Sequence, residues 1–174
     1  MLKTLRTIAG IGIVSEPPPV PDATLRVREA LQAEILDLVG RALSIRQVDA
    51  GSCNGCELEI HALNNPIYNI EGLGIRFVAS PRHADLLLVT GPVSAHMANA
   101  LRRTYEAVPH PKLVVAVGDC GCHGGVFGTG YASAGAVSAI VPVDVAVPGC
   151  PPSPERLLQG ILTAIRPDRH DRAR

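Results

Sequence analysis

Tryptophan is absent from this 174-residue chain, and aromatic residues of every kind make up only 3% of it. A strong charge of either sign is missing too, because 16 basic and 16 acidic side chains balance to zero. That excludes a general nucleic-acid binder, whose footprint is basic. Charged residues are scarce altogether, 18% against a usual value of about 25%. Such a surface is weakly protected against association, as expected of a chain partly covered by other subunits. No uninterrupted apolar run reaches the about 18 residues of a membrane span. The first residues lack the continuous apolar segment and cleavage site of a signal peptide. No G-x-G-x-x-G follows the first expected strand, no P-loop lysine motif occurs, and no serine–histidine–acid arrangement stands out. The five cysteines are an odd number, which argues against a closed disulfide framework. The chain is expected in the cytosol, where cysteine more often serves metals or chemistry.

What is present is apolar and heavily punctuated. The length suits one domain and allows a sizeable core. The expected division is an N-terminal arm over 1–22, a single α/β domain over 23–166 and a loose tail over 167–174. The arm holds Leu2, Leu5, Ile8, Ile11 and Ile13 before Pro17-Pro18-Pro19 and Pro21 stop regular structure. It suits contact with a partner subunit or a membrane face. Asp22 is positioned to cap a helix over 23–39, stopped by Gly40. A strand over 44–48 runs into Gly51-Ser52-Cys53-Asn54-Gly55-Cys56, and a short helix over 57–63 ends at Asn64-Asn65-Pro66. Strands are expected over 75–78, 85–90, 113–117 and 143–147, with a helix over 93–107. Ser153-Pro154 opens a last helix to Ile165. Unbroken runs such as Leu86-Leu87-Leu88-Val89 mark strands buried on both faces, hence a parallel α/β sheet covered by helices on both sides.

Ligands of such sheets sit beyond the carboxyl ends of the strands. Cys53, Cys120 and Cys150 each follow an expected strand, so three segments deliver a thiol to one edge. Cys56 lies three residues after Cys53. The pair alone is compatible with a redox dithiol, half a zinc site or part of an iron–sulfur site. The further cysteines at strand ends weigh against the dithiol. The surrounding Gly51, Gly55, Gly118, Gly121, Gly124, Gly125 and Gly149 favour a cluster, whose sulfurs benefit from close backbone N–H groups. Spacing leaves zinc open. Cys122 lies inside the glycine-rich loop and is the spare thiol. Arg82 and His83 precede a central strand, at its amino end, where an ion pair with Asp85 or a partner contact is as reasonable as a cluster role. Glu59, His61 and His123 lie near cysteines, and by themselves read as ordinary polar side chains. Asp119 and Asp144 read as caps or subunit contacts.

Four motifs in order carry a resemblance over about residues 40–165: Gly51-Ser52-Cys53-Asn54-Gly55-Cys56-Glu57-Leu58-Glu59, Ser80-Pro81-Arg82-His83-Ala84-Asp85, Gly118-Asp119-Cys120 with Gly124-Gly125, and Val141 to Pro152 around Cys150. The set resembles the small, electron-transfer subunit of membrane-bound, energy-converting nickel–iron hydrogenases, such as formate hydrogenlyase and the carbon-monoxide-induced hydrogenase. The 20-kDa subunit of complex I belongs to the same superfamily. The resemblance implies a flavodoxin-like fold and one [4Fe–4S] cluster held by Cys53, Cys56, Cys120 and Cys150. It implies that Cys122 and His123 are not ligands, and that Glu59 is an acid near the cluster, a candidate for proton transfer. The implied partners are a large subunit with a nickel–iron centre, a ferredoxin-like iron–sulfur subunit and ion-translocating membrane subunits. The implied location is peripheral, on the cytoplasmic side of the membrane. The chain lacks the extension that carries further clusters in uptake hydrogenases, so electrons would pass through the ferredoxin-like subunit. Complex I proteins carry adjacent cysteines where this chain has Cys53-Asn54-Gly55-Cys56, which favours the hydrogenase branch. A complex I-like quinone oxidoreductase, a hydrogenase-related complex without nickel–iron, and a zinc-binding structural module are the alternatives.

Overall fold

The segment Leu86–Thr90, apolar except for Thr90, is the middle strand of a five-stranded sheet in which every neighbouring pair is parallel. A computed structural model describes residues 40–166 continuously, with Arg6, Gly10, Ala33 and Asp37 as isolated helical, exposed positions. The rest of the expected arm, of the 23–39 helix and the tail lie outside the described residues. The sheet contains β1 (Leu43–Asp49), β2 (Ile75–Phe77), β3 (Leu86–Thr90), β5 (Leu113–Val117) and β7 (Val145–Val147). A separate antiparallel pair joins β4 (Val93–Ser94) to β6 (Ser133–Gly135). The helices are α1 (Gly55–Ala62), α2 (Ala95–Ala107), α3 (Gly118–His123) and α4 (Pro154–Ile165).

The sheet order is β2-β1-β3-β5-β7. Counted within the sheet alone, this is the 2-1-3-4-5 order of flavodoxin-like folds, as expected. The direction of winding changes between β1 and β3, and a crevice opens outside their carboxyl ends.

Alternation along the strands divides the core. Leu86 and Leu88 belong to the layer that packs with Leu157, Leu158 and Ile161 of α4 and with Ile60 of α1. Leu87 and Val89 belong to the opposite layer, with Leu101 of α2, Val137 and Val141. All five residues of β3 and all five of β5 are buried, so their apolar character has no solvent-facing interruption.

Two aspartates extend the sheet at the amino ends of its strands. Asp85 donates its N–H to the Ser44 carbonyl and accepts from the Ser44 N–H through Oδ2 at 2.9 Å. Asp144 makes the same reciprocal pair with Val114, accepting the Val114 N–H at 2.7 Å. The cation on Asp85 is Arg41, at 2.5 Å, rather than Arg82 or His83. Those two are exposed in a 3₁₀ turn at the amino end of β3, where the sequence reading placed them.

Helix ends follow local chemistry. Ser94 accepts from the Met97 N–H at 3.2 Å, so α2 begins at Ala95 and the preceding residues pair as β4 instead of extending the helix to Val93. Ser153 caps α4 with Pro154 in its first turn, as expected.

Candidate functional site

Each cysteine-bearing segment leaves the carboxyl end of a strand and is tied down by polar contacts. After β1, Asp49 Oδ1 accepts the N–H groups of Gly51 and Ser52, both at 2.8 Å, and turns the chain sharply toward Cys53. Asn54 adopts a left-handed conformation, φ 73°, and α1 begins directly behind it, carrying Cys56. After β5 the chain enters α3, which carries Cys120. After β7 it reaches Cys150. Asp119 joins the last two segments: its N–H donates to the Gly149 carbonyl at 2.9 Å, and its Oδ1 accepts the Gly149 N–H at 2.8 Å. Asp119 is therefore a bracket between two cysteine loops, beyond the capping role expected of it.

The thiols seat on glycines. A Cβ at Gly118 would lie 2.6 Å from Cys56 Sγ, and one at Gly125 would lie 2.6 Å from Cys120 Sγ. Both contacts need bare backbone. The first brings the loop after β1 against the loop after β5.

Cys53 and Cys150 are exposed, and Cys56 and Cys120 are half-buried. Burial pushes the Cys56 thiol up to about 12, with further contributions from the Glu57 carboxylate and then from Cys53, Cys120 and Cys150. Cys120 is raised by burial, then by Cys150, Cys53 and Asp119. Four thiols from three segments thus lie within electrostatic reach of one another. Among the described residues, no three His, Cys, Asp or Glu side chains close up as they would around a single metal ion. Cys122 stands apart. Its Sγ is 3.7 Å from the Ala116 carbonyl, and burial followed by the charge of Asp119 raises its pKa.

Glu59 is half-buried and has no hydrogen-bonding or ionic partner among the described residues. The acid built into the site is Glu57, only 5% exposed. It accepts from Ser52 Oγ at 2.5 Å and from Thr90 Oγ1, the last side chain of β3. Sequence reasoning passed over Glu57. The available signals were its place directly after Cys56 and the single hydroxyl closing an otherwise apolar β3. His61 and His123 are exposed, the latter 4.0 Å from Asp119 Oδ1. An open cavity of about 300 Å³ lies beside β1 and β2, lined by Arg46, Gln47, His61, Asn64 and Phe77 to Ala79. No cysteine lines it.

The family model described as NADH ubiquinone oxidoreductase, 20 Kd subunit, matches residues 53–164. The chain belongs to this family. That places the 20 Kd-type chain among subunits of oxidoreductase complexes. It is 44% identical over 133 residues to the probable membrane-bound hydrogenase subunit mbhJ of Pyrococcus furiosus, covering 76% of this chain and 80% of that one. It is 42% identical over 147 residues to formate hydrogenlyase subunit 7 of Escherichia coli, covering 84% of this chain and 58% of that one. A chain in the structure of the membrane-bound sulfane sulfur reductase, described as an archaeal respiratory membrane complex, superposes with a TM-score of 0.62 at 32% identity. That match covers 74% of this 20 Kd-type chain and 71% of the other. No described helix of the chain is long and apolar enough to cross a membrane.

Proposed function

We propose that this chain is the electron-transfer subunit of a membrane-bound, hydrogenase-type complex, with one [4Fe–4S] cluster held by Cys53, Cys56, Cys120 and Cys150. The observation that carries the reading is the convergence of these four thiols from three loops at the carboxyl edge of the sheet, beside its change of winding. The donor set is all sulfur, as such clusters require. Bound there, the cluster would accept and release one electron at a time.

The chain's own residues do the rest. Asp119 keeps the loops of Cys120 and Cys150 in register, and Gly118 admits Cys56 to the same space. Leu58, Val126 and Phe127 are exposed close in sequence to Cys56 and to Gly125. Exposed apolar side chains close in sequence to the cysteine loops suit coverage by a large subunit, which would exclude water from the electron path. In this reading the large subunit carries the nickel–iron centre and catalyses 2H⁺ + 2e⁻ ⇌ H₂. A ferredoxin-like subunit exchanges electrons on the other side, and membrane subunits use the energy to move ions. The chain then lies peripherally, on the cytoplasmic face.

A hydrogenase-related complex without nickel–iron is the second reading, favoured by the likeness to the sulfane sulfur reductase chain. Iron and acid-labile sulfide analysis with EPR after dithionite tests the cluster. About four irons and four sulfides per chain are expected, and zinc without sulfide would overturn the assignment. Nickel in the co-purifying large subunit separates the two complexes.

A further inference from the structure

We propose that Glu57 is a positioning residue: its carboxylate bridges the crevice between the carboxyl ends of β1 and β3 and holds the Cys53–Cys56 loop against the sheet.

The two oxygens of Glu57 serve different walls. Oε2 accepts a hydrogen bond from the Ser52 hydroxyl, in the loop after β1, and Oε1 accepts one from the Thr90 hydroxyl, at the end of β3. Thr90 Oγ1 also lies 3.3 Å from the Val48 carbonyl. A hydroxyl has one proton, and the much nearer carboxylate is the stronger acceptor. Ser52 Oγ in turn accepts the N–H of Asn54 at 3.0 Å, so the tie continues into the turn between Cys53 and Cys56. Position in the first turn of α1 does not account for the arrangement. The N-terminus of α1 has no side-chain cap, and the carboxylate reaches two hydroxyls on other segments instead.

Electrostatics sharpen the point. The carboxylate is buried, with no salt-bridge partner among the described residues. A buried charge without a counter-ion is unfavourable unless hydrogen bonds satisfy it. The hydroxyls of Ser52 and Thr90 supply those bonds, which accounts for where its oxygens reach. The loop lies on the crevice where the sheet changes its winding, and the bridge spans that crevice.

Amide hydrogen exchange on the full-length chain, before iron is added, tests the bridge. Thr90→Val keeps shape and removes the hydroxyl, and Thr90→Ser restores it. Exchange over residues 51–56 should be about tenfold faster in Thr90→Val than in the wild type. Thr90→Ser should return it to the wild-type rate, and β5 and α4 should stay unchanged in both. Ser52→Ala attacks the opposite wall and should free the same loop should Thr90→Val fail to fold. Unchanged loop protection in the folded variants, or no rescue by Thr90→Ser, would overturn the bridge. The bridge is independent of the cluster, so a chain that never binds iron would overturn the proposed function and leave this result standing.

Discussion

Gly118→Ala is the substitution that bears most directly on the candidate site. Gly118 has φ +79°, a conformation that a Cβ disfavours by about 1–2 kcal/mol. The new Cβ would also lie 2.6 Å from Cys56 Sγ, where nonbonded atoms ordinarily rest about 3.5–4.0 Å apart. The thiol must therefore retreat by about 1 Å. Such overpacking adds about 1–3 kcal/mol to the backbone term. Gly128→Ala is the internal control. Its φ is +56°, but a Cβ there meets nothing within 4 Å, so only the backbone term applies. Thermal melts of both variants separate the two contributions, since each kcal/mol lowers Tm by about 2–4 °C at this length. Iron and sulfide content after reconstitution reads the site itself. Gly118→Ala should melt several degrees below Gly128→Ala and bind markedly less iron, while Gly128→Ala should load like the wild type. Equal stability and equal loading of the two variants would refute the argument that Cys56 is seated on bare backbone at Gly118.

Asp119→Ala removes the acceptor of the Gly149 N–H and should destabilise by about 1–2 kcal/mol, discounted because the side chain is 39% exposed. Asp119→Asn keeps an oxygen acceptor and should recover most of that loss in urea titrations. Cys122→Ser should leave iron content unchanged, since a hydroxyl can make the same contact to the Ala116 carbonyl; loss of the cluster would show that Cys122 is not the spare. Without iron, the Cys56 thiol titrates near 12 in the folded chain against 9.0 ordinarily. The folded state thus retains a proton that the unfolded state loses. The stability this contributes is present below pH 9.0 and lost as pH rises toward about 12, and Cys56→Ala should flatten that decline in alkaline urea titrations. Iron loading must expel the same proton, so its pH dependence runs the other way and rises with pH.

Much of the fold was legible because it rests on local pattern. β5 and all of β3 except its last residue, Thr90, are apolar runs, and Ser153-Pro154 is a helix start that needs no distant partner. The convergence of Cys53, Cys120 and Cys150 was legible through topology: parallel strands all end at one edge, so residues that follow them share it. The functions of Asp119, Asp144 and Glu57 were not legible. Asp119 meets Gly149 across 30 residues, Asp144 meets Val114 across 30, and Glu57 meets Thr90 across 33. Each contact exists only once the sheet has set two strand ends side by side. Glu57 went unnoticed beside Glu59 for the same reason, because both acids sit on one short helix and only packing decides which is buried.

By itself, then, the sequence determined the alternation of strands and helices, the edge to which the cysteines are delivered and the family to which they point. These follow from residue periodicity and chain order. Tertiary structure alone decided which carboxylate enters the crevice and which aspartate brackets two cysteine loops. Those outcomes depend on distances between segments far apart in the chain, and such distances are set by the packing of the whole sheet.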